Sequence, residues 1–312
     1  MRWKTKALIM KLAGFLPAGV AFHSWGQRRF GNLQSKPLAR SSQLKELISL
    51  SEEFGQPILG ARILEVGSGH IPRIPIGLFL AGAESVATVD LNRRMQMDLV
   101  RQNLEWIAAN PTEFAESCGI NSTSATFRER HALLAEHASN PPKFFRASGI
   151  QYFAPTDASK TDFPNESFDL HCSVTTLEHI PPKIIRNLLI EAHRILTPRG
   201  LAIHLIDPSD HFSHQDETIS AIHFLKYSKR KWNVIAGNEF AYCNRLRADD
   251  YVDLVGQTEL SLLSEKRTID DRSLQELRAG FVPHKDFNGY SKQTLATTSY
   301  QVVLQPKDAK NK

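Results

Sequence analysis

Ile63-Leu64-Glu65-Val66-Gly67-Ser68-Gly69 decides the fold. An apolar pair runs into a carboxylate and then a glycine turn. A second short apolar run, Ser85-Val86-Ala87-Thr88-Val89, ends at Asp90. A strand that ends in glycines lets the backbone pass close to a ligand with no Cβ in the way. An acid about 20 residues on, at the tip of the next parallel strand, can accept hydrogen bonds from both hydroxyls of a ribose. The pattern predicts a nucleotide-cofactor pocket at the carboxyl edge of a parallel sheet.

The residues around the turn select the nucleotide. A dinucleotide fingerprint places a third glycine where a helix N-terminus meets a pyrophosphate. Pro72 stands there, and Ile71 fills the last position of the alternative Gly-x-Gly-x-Gly pattern. Glu65, just before the glycines, would repel phosphate and suit an ammonium. S-adenosylmethionine offers an ammonium, a sulfonium, a ribose and an adenine and carries no phosphate, so it is the expected cofactor. A nicotinamide-dependent oxidoreductase would use the same sheet and Asp90 but leave Glu65 unexplained. A catalytically silent binding module would keep the fold while losing cofactor contacts, yet Glu65, Gly67, Gly69, Asp90 and Asp157 are all present.

With its downstream motifs in matching order, the chain resembles the class I (Rossmann-like) S-adenosylmethionine-dependent methyltransferases. Gln151 to Ala158 looks like the third strand of that family, and Ser167 to Val174 like the fourth. Thr175 to Ile180 looks like the loop that faces the sulfonium, and Leu196 to Ile206 like the turn and fifth strand. The resemblance spans about residues 60 to 208 and departs from the family at Ile71. It implies an α/β fold with a doubly wound, mostly parallel seven-stranded sheet. It also implies cofactor contacts from Glu65, Gly67, Ser68, Gly69, Asp90 and Leu91, with Asp157 and Ala158 at the adenine amino group.

Periodicity supplies the elements between the strands. Ile74 to Ala81 reads as a crossover helix stopped by Gly82. Met97, Val100, Leu104 and Ile107 make a second helix that ends at Pro111, and Ile184 to Leu196 a third, behind Pro181-Pro182. Residues 112–148 read as a polar insert, helical in part around Arg128 to His137. Ala248 to Val255 suggests a helix, and Glu259 to Ser264 and Thr297 to Leu304 antiparallel strands. A chain of 312 residues with 41% hydrophobic content can bury a full core. One enlarged domain is expected over 45–306, with inserts at 112–148 and 209–246, an N-terminal extension over 1–44 and a disordered tail over 307–312. Three widely spaced cysteines read as reduced thiols of a cytoplasmic protein. In the extension, Lys11 splits the apolar run and Pro17 interrupts its second half, leaving too little for a membrane span, and export is not expected because the expected cofactor is made and kept in the cytosol. A basic amphipathic lid is expected there, with peripheral contact to a membrane surface as the other reading.

The residues for chemistry gather after the fourth and fifth strands. His179, beside Glu178, is the first candidate base, at the sheet edge where a ligand crevice opens. Asp207, Asp210, His211, His214 and Asp216 form a second cluster, in which acids can orient an imidazole as a base or complete a metal site. Some quinone-directed relatives bind magnesium through a further acid four residues before the loop histidine. Thr175 stands at that place, so no metal is assigned. Lys226, Lys229, Arg230 and Lys231, interleaved with Tyr227 and Trp232, make a basic knot that suits an anionic group or a solvated helix face. The motif that grips an exocyclic base nitrogen is missing, as is a Pro-Cys nucleophile, and a net charge of +5 is diffuse. No nucleic acid is expected. The histidines point to O-methylation of a hydroxyl on a small molecule. The overall pattern, including Asn244-Arg245-Leu246-Arg247 before Asp249-Asp250-Tyr251, looks similar to bacterial methyltransferases linked to surface sugars, which implies a glycan or a lipid-linked acceptor.

Overall fold

The computed structural model describes residues 2–14, 33–238 and 240–307. Its centre is a seven-stranded sheet of β1 (Arg62–Val66), β2 (Ser85–Val89), β3 (Ile150–Phe153), β4 (Phe168–Val174), β5 (Leu196–Ile206), β6 (Leu260–Ile269) and β7 (Thr297–Pro306), in the order β3-β2-β1-β4-β5-β7-β6. β1 to β5 are parallel, and β7 runs antiparallel to both β5 and β6. The strand order reverses at β1, so a crevice opens beyond its carboxyl end, between the loops after β1 and β4.

Alternation along the strands divides the core. Ile63 and Val86 face one apolar cluster with Leu44 and Ile76, while Leu64, Val66, Ala87 and Val89 face another with Ile185 and Leu188. A parallel sheet covered on both sides keeps its strands mostly apolar, with Glu65, Thr88, His171, Ser173 and His204 as buried polar exceptions. The first crossover helix, Arg73–Ala81, ends at Gly82 with φ of 109°, a left-handed closure that a side chain would resist. The long crossover helix Pro182–Ile195 buries Ile185, Leu188, Ala192 and Ile195 along one stripe.

Two expectations change. Residues 112–148 are helical through three segments, Pro111–Cys118, Ala125–His137 and Pro141–Ser148. Pro111 and Pro141 start helices at positions where a missing N–H costs nothing. Ser124 and Asn140 cap the following turns. Single aromatics, Phe114, Phe127 and Phe144, anchor these polar helices in the core. At the other end, β6 extends to Ile269, beyond the alternation read up to Ser264.

The helix over Trp3–Gly14 packs on the 209–246 segment through Trp3 and Ala7, against Phe212, Phe224 and Trp232. Asp216 accepts a hydrogen bond from the Trp3 amide at 2.7 Å. Leu8, Ile9 and Leu12 of this helix stay exposed. Pro17, most of the apolar stretch that follows Lys11, and 308–312 of the expected tail lie outside the described residues. Helix Ser41–Glu53, with Leu44, Leu47 and Ile48 buried, runs across the 44/45 boundary. No helix among the described residues is long and apolar enough to cross a membrane.

Candidate functional site

The turn after β1 holds Gly67 at φ of 93° and Gly69 at φ of 65°. Beneath it Glu65 is 2% exposed, and its Oε2 accepts hydrogen bonds from Ser68 Oγ at 2.6 Å and Thr88 Oγ1 at 2.7 Å. The pairing follows from register, since Glu65 lies beside Thr88 across the β1–β2 ladder. Burial pushes the Glu65 carboxyl up to about 7 against the pull of those two hydroxyls. A nearby ammonium would reverse that shift.

Asp90 follows β2 at the same edge. Its amide donates to Phe153 and its carbonyl accepts from Thr156, which ties the ends of β2 and β3 together. One carboxylate oxygen, Oδ2, is buried without a partner. Burial raises the group to about 6, and the Tyr152 hydroxyl and Gly69 amide draw it back. Leu91 is 68% exposed beside it. Asp157 is exposed in the loop after β3, where its Oδ1 accepts from the Ser159 amide and hydroxyl, and Ala158 is half-buried. The turn, Asp90 and the loop after β3 thus share one edge of the sheet.

Across the crevice, β4 ends in Thr175 at φ of 47°, a left-handed conformation that a β-branched residue rarely takes. Its amide donates to Leu205 at 2.7 Å. Leu177–His179 form one 3-10 turn. Glu178 is 1% exposed, and neither of its oxygens makes a hydrogen bond of normal geometry, although the amides of Glu178 and Asp207 face it. Burial lifts its carboxyl to about 8. His179 and His211 bring their rings within 4.9 Å, and His211 and His214 stack at 5.0 Å. Asp207 Oδ2 lies 3.6 Å from His211 and 3.5 Å from His214. Burial lowers His211 to about 4, with Asp207 opposing the shift. The expected histidines therefore meet in one cluster. Asp210 and Asp216 turn elsewhere, towards His223 and the N-terminal helix.

Several residues that shape this site carried no chemical signal in the sequence. Asn244 Nδ2 donates to the carbonyls of Leu177 and Ile180 at 2.8 and 2.9 Å, and its amide donates to Glu178. Arg247 is fully buried, donating to the carbonyls of Pro208 and Arg245. Together they fasten the loops after β4 and β5 to one segment. The basic knot is partly structural: Trp232 is buried, Lys226 sits over Phe281 and Lys231 over Tyr227. Lys229 and Arg230 are exposed.

Residues 112–204 match the family described as "Methyltransferase domain". That stretch takes in β3, β4 and the loop with Glu178 and His179. Among solved structures, a protein from Pyrococcus horikoshii is similar over 90% of this chain and 98% of its own, with 15% identity and a TM-score of 0.50. Magnesium protoporphyrin IX methyltransferase from Synechocystis is similar over 92% and 94%, with 11% identity and a TM-score of 0.48. Geranyl diphosphate C-methyltransferase from Streptomyces coelicolor is similar over 85% and 78%, with 14% identity and a TM-score of 0.47. No curated protein matches the chain.

Proposed function

From a chain that carries a methyltransferase domain on the class I S-adenosylmethionine-dependent methyltransferase fold, we propose a methyl transfer to a hydroxyl oxygen of a small-molecule or glycan acceptor. S-adenosylmethionine is the cofactor that such a domain implies. Its ribose hydroxyls would bond Asp90, its adenine would lie between Leu91 and Asp157–Ala158, and its ammonium would face the turn above Glu65. The observation that carries this reading is the buried, unpartnered Oδ2 of Asp90 beside a turn in which a Cβ at Gly69 would meet nothing within 4 Å.

The acceptor would enter on the side of Glu178, His179 and His211. His179 Nδ1 lies 2.9 Å from the carbonyl of Tyr242, an acceptor only, so Nδ1 carries the hydrogen and Nε2 is left as a base. In the reaction the acceptor O–H passes its proton to Nε2 and the oxygen attacks the sulfonium methyl. The carbon–sulfur bond breaks with its electron pair staying on sulfur, giving S-adenosylhomocysteine. Holding the two reactants in line supplies much of the rate.

Calorimetry with S-adenosylmethionine and S-adenosylhomocysteine, followed by an acceptor screen with labelled methyl donor, tests the proposal. Binding of both and label recovered in a methyl ether are expected. Tight binding of a nicotinamide dinucleotide with none of either sulfur compound would overturn the cofactor assignment. Label on nitrogen or carbon would overturn the acceptor class alone.

A further inference from the structure

Three donors from two separated segments converge beside the loop after β4. Glu178 and His179 ride on the 3-10 turn, and His211 arrives from the segment beyond β5. One donor atom from each lies within 4.8 Å of the others. Both carboxylate oxygens of Glu178 are buried and unpartnered, a costly arrangement for an isolated acid in the interior. A cation between it and the two imidazoles would supply the missing partner.

The surroundings also match those of metal-bound imidazoles. A ligating histidine usually gives its second ring nitrogen to a carbonyl or carboxylate, which fixes the tautomer and aims the ring. His179 gives Nδ1 to the Tyr242 carbonyl at 2.9 Å. His211 has Nε2 held by Asp207, 3.4 Å from its carbonyl and 3.6 Å from its carboxylate. Asn244 in turn pins the backbone that carries Glu178 and His179.

We propose that Glu178, His179 and His211 bind one divalent first-row transition-metal ion. Imidazole suits zinc, cobalt, iron or nickel, whereas magnesium and calcium take oxygen donors. With bonds of about 2.0–2.2 Å at a tetrahedral ion the donors would stand roughly 3.3–3.6 Å apart, so closure takes a contraction of the triad by up to about 1.5 Å. Three protein ligands leave an open position on the ion, where an acceptor oxygen would be held and polarised; with the ion bound His179 Nε2 is a ligand and not a base, and the acceptor proton, made acidic by the ion, would leave to solvent instead. That last role rests on the methyl-transfer reading; ion binding itself does not.

The test is a cobalt(II) titration of the full chain after chelator treatment, followed by visible absorption and calorimetry, with S-adenosylhomocysteine binding measured on the same samples. One ion per chain is expected, with ligand-field bands that an equal concentration of magnesium does not displace. Losing an outer-shell partner typically costs about 10- to 100-fold in metal affinity, so His211→Ala and Glu178→Gln, which remove direct ligands, should each weaken cobalt binding by at least that much, while His284→Ala, a histidine paired with Asp286, should not. If either variant fails to fold, proton NMR of the wild type decides. Hyperfine-shifted resonances from two imidazoles support the site, and their absence overturns it. Cobalt binding unchanged in both variants, no cobalt binding, or displacement by equimolar magnesium would also overturn it. No cobalt bound by the wild type while S-adenosylhomocysteine still binds refutes this inference alone. Cobalt bound without S-adenosylhomocysteine refutes the methyltransferase reading alone.

Discussion

Gly67 and Thr176 approach so closely that a Cβ on the glycine would stand 2.5 Å from the threonine hydroxyl oxygen and 2.6 Å from its methyl. The turn after β1 and the loop after β4 are thus fitted to each other at the mouth of the crevice. Gly67→Ala meets both this clash and a φ of 93°, which strains any side chain. It should lower cofactor affinity by at least about tenfold and destabilise the protein by roughly 1–3 kcal/mol. Adding Thr176→Ala removes the two nearest atoms, so calorimetry on the double variant should show part of the affinity restored. The strain at φ of 93° remains.

Asp90→Ala removes a charged acceptor from the edge of β2. Such a loss typically costs about 1.5–3 kcal/mol, so S-adenosylhomocysteine should bind roughly ten- to a hundredfold more weakly. Burial holds the free carboxyl up to about 6, whereas two ribose hydroxyls would stabilise its charge. Affinity should therefore fall as pH drops through about 6, and Asp90→Asn should remove that component. Equal affinity of wild type and Asp90→Ala across the range would refute a ribose contact here.

Glu65 predicts a pH-dependent stability in the absence of cofactor. Its folded-state pKa, raised from 4.5 to about 7, exceeds the unfolded value, so the folded chain binds more protons between them. Unfolding free energy should decline as pH rises across that window and level off above it. The size of the shift corresponds to an order of 3 kcal/mol. Glu65→Gln keeps an acceptor for Ser68 and Thr88 without the charge. It should flatten the decline and exceed wild-type stability at pH 8, as read by denaturant unfolding.

The sheet was legible because β1 and β2 carry short, mostly apolar runs that end at the glycine turn and at Asp90, and the crossover helices carry apolar stripes, all of which register turns into position. The helices of residues 111–148 were only half legible, since Phe114, Phe127 and Phe144 each anchor an otherwise polar segment. For the site, Glu65 and Asp90 were readable from their places at strand ends. The convergence of His179 with His211 was not, because it depends on how the segment after β5 folds back. Asn244 and Arg247 act through backbone carbonyls, and a sequence carries no mark of which carbonyls need a donor.

The basic knot tests whether the acceptor carries negative charge. Lys229 and Arg230 are exposed, while Lys231 rests over Tyr227. Replacing all three with Gln should raise the acceptor KM, more at low salt than at high salt, because attraction between exposed charges is screened. Unchanged acceptor kinetics would leave the knot as a solvated helix face that stacks on its neighbours.

Asn244 separates support of the site from binding in it. Its side-chain amide is the donor to Leu177 and Ile180, which belong to the loop after β4 and not to the strand ends that carry Glu65 and Asp90. Asn244→Ala takes the side-chain donor from the Ile180 carbonyl and leaves the Leu177 carbonyl only the Ile180 amide. It should cost about 1–3 kcal/mol, seen as a melting temperature lower by a few degrees. Asn244→Asp has nearly the same shape but no donor, and its charge would face those carbonyls and the buried acid of Glu178. It should therefore be at least as damaging as Ala. Because the loop after β4 carries Glu178 and His179, both variants should lower turnover while S-adenosylhomocysteine affinity changes little. If affinity and turnover fall together, Asn244 supports the cofactor edge as well, and the two sides of the crevice are coupled through the contact between Gly67 and Thr176.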